Sequence, residues 1–324
     1  MKIAWITPLL ACALWAQGPG NRDREVGSAC ADLNRRVIEQ AAGGHLAEAE
    51  TALADAVENG ANRHEPACRG LLLNNLATIL YLSGRLAEAE AIAARSVSAL
   101  EPALGPDATE LLRPLRVLAS ARLEQGKVGK AREALTKMRR IPLERAEDRM
   151  LVRGAAAVLF QAEGRFTESE SEFQSALIEW ERAGNPAGAE GASLFAGLAS
   201  LYLAAERLDD AGRVLDRALA ALAAAANSVP MDRIRLLQLR ANLDLRKGNW
   251  LQAKGDLEQA IALARSEPRS DPDLPASLMT AYAQLLRKYH RAGEARRIEQ
   301  SARALRQHLT TGKTVDVTEL RNRK

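Results

Sequence analysis

Apolar and polar positions along this chain fall into a block that recurs. GGHLAEAETALADA from Gly43, SGRLAEAEAIAARS from Ser83, QGKVGKAREALTKM from Gln125 and EGRFTESESEFQSA from Glu163 share one arrangement. Three looser copies follow: AERLDDAGRVLDRA from Ala205, KGNWLQAKGDLEQA from Lys247 and YHRAGEARRIEQSA from Tyr289. Within each block the apolar residues return every three or four positions, the spacing that gathers them on one side of a helix. A turn residue opens each block: Gly44, Gly84, Gly126, Gly164, Glu206, Gly248 and His290. The intervals are 40, 42, 38, 42, 42 and 42 residues, and a period that regular marks a repeat architecture.

Each unit reads as two helices joined at the turn residue, where glycine takes a left-handed backbone without steric cost. Small side chains recur five residues after the turn, at Ala49, Ala89, Ala131, Ser169, Ala211, Ala253 and Ala295. A second set, Ala56, Ser96, Met138, Ala176, Ala218, Ala260 and Ala302, stands seven residues further on. Seven residues are two helical turns, so both sets share one buried face; Met138 is its one bulky member. Proline inside a helix costs about 3 kcal/mol and belongs in connections. Nine of the twelve prolines fall in the six predicted connections: Pro66, Pro102, Pro106, Pro142, Pro186, Pro230, Pro268, Pro272 and Pro275. Pro8 and Pro19 precede the repeats, and Pro114 suits the first turn of a helix. The pattern predicts an all-α chain with no substantial sheet.

The spacing of turn glycine and small residues resembles tetratricopeptide repeats (TPR). The 42-residue step, with Leu73-Asn74-Asn75-Leu76-Ala77 and Leu104-Gly105-Pro106-Asp107, is similar to the bacterial kinesin-light-chain-like subtype. Units five and seven depart from the pattern at Glu206 and His290, and Ala108-Thr109 replaces the His-Pro usual in that linker. The resemblance implies an α-solenoid, a right-handed superhelix of about seven TPR-like helix pairs. It further implies that the concave face, lined by the first helix of each pair, binds extended peptides or partner proteins.

Ahead of the repeats, residues 3–16 form an apolar run behind Met1 and Lys2, interrupted by Thr7 and Pro8, and the chain turns polar from Gln17. This is the layout of a signal peptide, with cleavage after Ala16 or at Ala11-Cys12-Ala13. The run is short of the roughly 20 helical residues that span a bilayer. Leu9-Leu10-Ala11-Cys12 also resembles the bacterial lipobox, which implies a lipid anchor on Cys12 as the alternative. The expected organisation is a signal peptide over 1–16, a linker over 17–29, the solenoid over 30–309 and a basic tail over 310–324. The expected location is outside the cytoplasm, periplasmic or secreted. Export makes a bridge between Cys30 and Cys68 chemically possible. Its alternative is two separate buried thiols, because a disulfide needs Cα atoms within about 7 Å while packed helices lie about 8–10 Å apart.

Composition alters this picture little. Hydrophobic residues are 47%, charged residues 27% and aromatics only 4%, a balance that favours helices over a β-sandwich or barrel. His45, His64, His290 and His308 have no metal-ligand spacing, and no nucleophile elbow or paired His-Glu helix motif occurs. Thr311-Gly312-Lys313-Thr314 echoes the end of a phosphate-binding loop without the upstream glycine or strand. Trp180 and Trp250 are expected to pack between repeats. Neither catalytic residues nor a metal or cofactor is expected.

Charge is more informative. After loss of the leader the chain carries 44 basic and 41 acidic residues, but residues 287–324 hold 11 basic and 4 acidic. A basic C-terminal end points to an acidic partner or to membrane headgroups. Nucleic acid fits less well, for want of aromatic residues among the basic ones. Projecting each first helix back from its turn gives a groove wall of Asn74, Thr78 and Tyr81 in unit two and Arg113, Arg116 and Ser120 in unit three. Unit six adds Arg235, Gln238, Asn242 and Arg246, and unit seven Thr280, Gln284, Arg287 and Lys288. Between them units four and five present Gly154, Val158, Ala196 and Ser200. Amides can hydrogen-bond the backbone of an extended peptide and arginines can grip carboxylates, so the expected ligand is extended and acidic. An envelope-assembly component held at a membrane through Cys12 or the basic end is the second reading.

Overall fold

The computed structural model describes residues 28–42, 46–58, 65–184, 189–224, 230–266 and 274–311. The leader, Cys12, the Gly44 turn, Pro186, Pro268, Pro272 and the tail from Gly312 lie outside the described residues.

Fourteen α-helices, one short 3-10 turn and no strand occur among the described residues. Unit one is α1 (Ser28–Ala42) and α2 (Leu46–Glu58); unit two is α3 (Pro66–Leu82) and α4 (Leu86–Leu104). Unit three follows the 3-10 turn Thr109–Leu111 as α5 (Leu112–Glu124) and α6 (Val128–Arg140). Unit four is α7 (Ala146–Ala162) and α8 (Phe166–Arg182), and unit five α9 (Ala189–Ala204) and α10 (Leu208–Ala224). Units six and seven are α11 (Pro230–Arg246) with α12 (Trp250–Ser266), and α13 (Leu274–Lys288) with α14 (Ala292–Thr311).

One turn joins the helices of units two to seven. In unit two the Gly84 amide donates to the Tyr81 carbonyl at 3.0 Å and the Arg85 amide to Leu80 at 2.9 Å, capping the last carbonyls of α3. The same two bonds recur at every later turn, ending with His290 to Arg287 and Arg291 to Leu286. The departures from glycine do not change it, because Glu206 and His290 adopt φ of 57° and 60°, left-handed like Gly84 at 75°.

The small-residue seam is buried as its period requires. Ala49, Ala89, Ser169, Ala211, Ala253 and Ala295 are all fully enclosed, and the hydroxyl of Ser169 donates to the Ala157 carbonyl of the facing helix at 2.8 Å. Ser96 does the same to Gly70 at 2.6 Å. A Cβ at Gly197 would stand 2.5 Å from the Phe173 ring, so helices α8 and α9 approach more closely than any larger residue permits. Trp180 is buried and meets Phe195 edge-on with centroids 5.4 Å apart, at the interface of units four and five.

Proline placement needs correcting in detail. Pro66, Pro230 and Pro275 lie in the first turns of α3, α11 and α13 rather than in connections, where a missing N–H costs nothing. Pro102 sits inside the last turn of α4, and the Ser98 carbonyl it leaves without an amide belongs to an exposed residue.

First helices pack on one another in chain order, α1 on α3 through α9 on α11, while each second helix reaches its neighbouring units through first helices. The first helices are therefore the inner layer of the solenoid. One apolar core runs through units one to five and ends on Leu236, Leu239 and Leu243 of α11. A second begins on the other side of that helix, at Ile234, Leu237, Ala241 and Leu245, and fills units six and seven. In unit six the two helices also share a polar contact: Arg240 donates to both oxygens of Asp256 at 2.7 and 2.5 Å. The corresponding positions are Leu76 and Ile92 in unit two, and Leu198 and Val214 in unit five.

At the N-terminal end Cys30 and Cys68 form a disulfide, with Cα atoms 6.0 Å apart and both residues buried. Cys68 lies in the first turn of α3, not before it. Cα atoms stand about 2.3 Å off a helix axis, so facing residues of helices packed about 8–10 Å apart come within the reach a disulfide needs.

Candidate functional site

The inner layer makes the candidate site, and burial divides the expected wall residues. Asn74, Thr78 and Tyr81 are 2%, 0% and 0% exposed, which takes them off the open wall on which the sequence placed them. The Thr78 hydroxyl donates to Asn74 O one turn back, at 2.9 Å, and the Tyr81 hydroxyl donates to Glu124 of the next unit. Ser120 is likewise enclosed at 8%. The cause is packing between first helices: α5 lies against α3 and covers the side on which these residues stand.

Two of the expected arginines serve the scaffold. Arg246 donates to the Leu203 carbonyl at 2.6 Å and to Glu206 at 2.9 Å, clamping the turn of unit five. Arg287 turns outward to Glu299 of α14 at 2.8 Å. Arg113, Arg116, Arg235, Gln238, Asn242 and Thr280 are partly exposed, and Gln284 and Lys288 fully so. Gly154, Val158 and Ala196 are buried and Ser200 half-buried, so the middle of the groove carries no charge at these positions.

The polar residues form one connected field. Burial and the adjacent Glu124 charge push the Tyr81 hydroxyl well above the usual phenol range, while the positive charges of Arg116 and Arg235 pull it the other way. Arg235 belongs to unit six and Tyr81 to unit two, so the inner layer brings α11 within electrostatic reach of α3. Burial raises the Glu124 carboxyl. It also raises Asp148, against the pull of Arg145 and Arg113. Arg235 lies 4.0 Å from the buried carboxylate of Asp232 on its own helix.

Several contributors were not foreseen. Asn74 donates to Asn75 at 3.2 Å and Asn75 to Asn34 of unit one, making a chain of side-chain amides across two repeats. Asn34 stands ten residues before its turn, as Asn74 does, a register that was legible. Arg306 on α14 reaches over to Thr280 and Ser277 of α13 at 3.5 and 3.4 Å. Projecting only first helices could not find it. Among the described residues no group of three or more His, Cys, Asp and Glu could hold a metal ion, and no helix is long and apolar enough to cross a membrane.

Residues 69–142, which are units two and three, match the tetratricopeptide repeat model. No curated protein sequence matches the chain. BtubC (BKLC) from P. vanneervenii, a kinesin-light-chain-like bacterial protein, is similar in structure at 19% identity and a TM-score of 0.54, over 69% of this chain and 92% of its own. A tetratricopeptide repeat protein from Parabacteroides merdae ATCC 43184 aligns at 20% identity and a TM-score of 0.48, over 86% of this chain and 94% of its own. The six described turns, the small-residue seam and the matched units together identify the fold as a tetratricopeptide-repeat solenoid.

Proposed function

We propose that this chain is a non-catalytic, exported scaffold that holds an extended, acidic peptide or protein segment along its concave face. The repeat fold supports a protein-interaction scaffold. One observation carries the choice of an acidic ligand: partly exposed arginines stand on the inner layer in two separate units, Arg116 in unit three and Arg235 in unit six. A carboxylate at either place meets a guanidinium group, the planar donor suited to bidentate pairing. Arg113 lies on the same helix as Arg116, and we assign Gln238 and Asn242 of α11, both partly exposed, to the peptide backbone. Export rests on the leader-like residues 3–16 and is supported by the Cys30–Cys68 bridge, a bond that persists in oxidising compartments. A lipid anchor on Cys12 is the membrane-held variant of the same reading.

Fluorescence anisotropy with a labelled oligoglutamate peptide tests the groove. The wild type is expected to bind in low salt and to release as ionic strength rises. Arg116→Glu with Arg235→Glu, in protein of unchanged helical content, is expected to weaken binding by at least about tenfold, since charged pairs of this kind are worth some 1.5–3 kcal/mol. Undiminished binding by the double variant sinks the assignment.

A further inference from the structure

A second surface closes the C-terminal end of the array, outside the groove. Thirteen residues past the turn, the second helices of units one, two, four and six carry a buried apolar residue, Val57, Val97, Leu177 and Ile261, and unit three an exposed Arg139. In α14 that position is Arg303, and it is exposed. Six residues past the turn stand Glu50, Glu90 and Glu170, which take ion pairs from the next unit's Arg85, Lys127 and Arg207 at 2.5, 2.6 and 2.6 Å. In α14 that position is Arg296, also exposed. Unit three also carries arginines at both positions, Arg132 and Arg139, but there they pair with Glu163 and Glu172 of unit four.

Helical spacing lines up Arg296, Gln300, Arg303 and Gln307 over about 16 Å, with Arg297 beside them. All five are exposed. The two carboxylates of α13 and α14, Glu294 and Glu299, are already taken by Arg291 and Arg287. Arg296, Arg297 and Arg303 accordingly form no ion pair among the described residues. The large exposed apolar residues, Leu104, Phe166, Ile178 and Leu251, all lie on other helices.

These features select a partner. A protein interface needs an apolar centre to its patch, and single-stranded nucleic acid needs aromatic platforms; this face offers neither. A fluid surface of negative headgroups needs only positive charge, because its lipids rearrange to meet it. We propose that the exposed face of α14 is a docking surface for an anionic phospholipid membrane. The proposal is independent of the groove and of its ligand.

Vesicle flotation of the full chain tests it, with phosphatidylglycerol vesicles set against phosphatidylcholine vesicles. Binding to the first, none to the second and release by salt are expected. Each cation near such a surface contributes about fivefold in affinity, so Arg296→Glu with Arg303→Glu is expected to lose at least about tenfold. The control is the same charge reversal at Arg95 and Arg140, exposed positions on α4 and α6, which is expected to bind nearly as wild type. Circular dichroism shows each variant folded. Equal loss in both variants overturns the proposal, because net charge rather than this face would then govern. Binding to both vesicle types or to neither, or capture of a single-stranded oligonucleotide in preference to vesicles, overturns it as well.

Discussion

Gly197 shows at the scale of one residue how tightly the pairs are built. Its missing Cβ leaves room for the Phe173 ring, which is fully buried, and an added methyl would stand 2.5 Å from two ring carbons. Gly197→Ala must displace that ring or part the two helices. Overpacking of this kind costs about 1–3 kcal/mol, and a fall of that size in urea-unfolding free energy is expected. Tyr282 makes a different prediction. It is 2% exposed, and burial, helped by Glu258 and Glu294, pushes its hydroxyl up to about 12 from the usual 10.0. The folded form thus holds its proton where the unfolded form gives it up. Stability from this group is intact below pH 10 and is lost as pH rises from 10 towards about 12. Urea midpoints across that range should decline less steeply in Tyr282→Phe than in wild type; identical slopes would show that the hydroxyl does not titrate in this way.

Helices in this array depend on neighbours one repeat away, and unit one shows the limit of that dependence. Its first helix α1 exposes Asp32, Arg35, Arg36, Glu39 and Gln40 and, among its described side chains, buries only Cys30 and Val37. The Cys30–Cys68 bond closes a loop of 38 residues in sequence, worth about 4 kcal/mol by loop entropy. Cys30→Ala with Cys68→Ala should therefore free α1 while units three to seven keep their structure. Limited proteolysis reads this as early cleavage confined to the first 60 or so residues; cleavage spread along the chain would mean the staple supports the whole array. The same dependence explains what was legible in the sequence. Turn, seam and pair count repeat locally, so they could be read from single blocks, even at Glu206 and His290. Groove exposure could not. Tyr81 is buried by its bond to Glu124 43 residues on, and Arg246 is spent on Glu206 40 residues back. Each partner lies one repeat away, and a projection made unit by unit holds no information about it. Comparing registers between adjacent units would have exposed these pairs.

At the scale of the molecule, α1 and α14 both expose charged and polar side chains. What remains is the inner layer, which carries partly exposed arginines in units three and six. Hydrogen–deuterium exchange with and without saturating oligoglutamate peptide tests that account most directly. Added protection is predicted on α5 and α11, with the outer helices α6, α8 and α10 unchanged. Protection confined to those outer helices, or none on α5 and α11 at saturation, would contradict a ligand held in the concave groove.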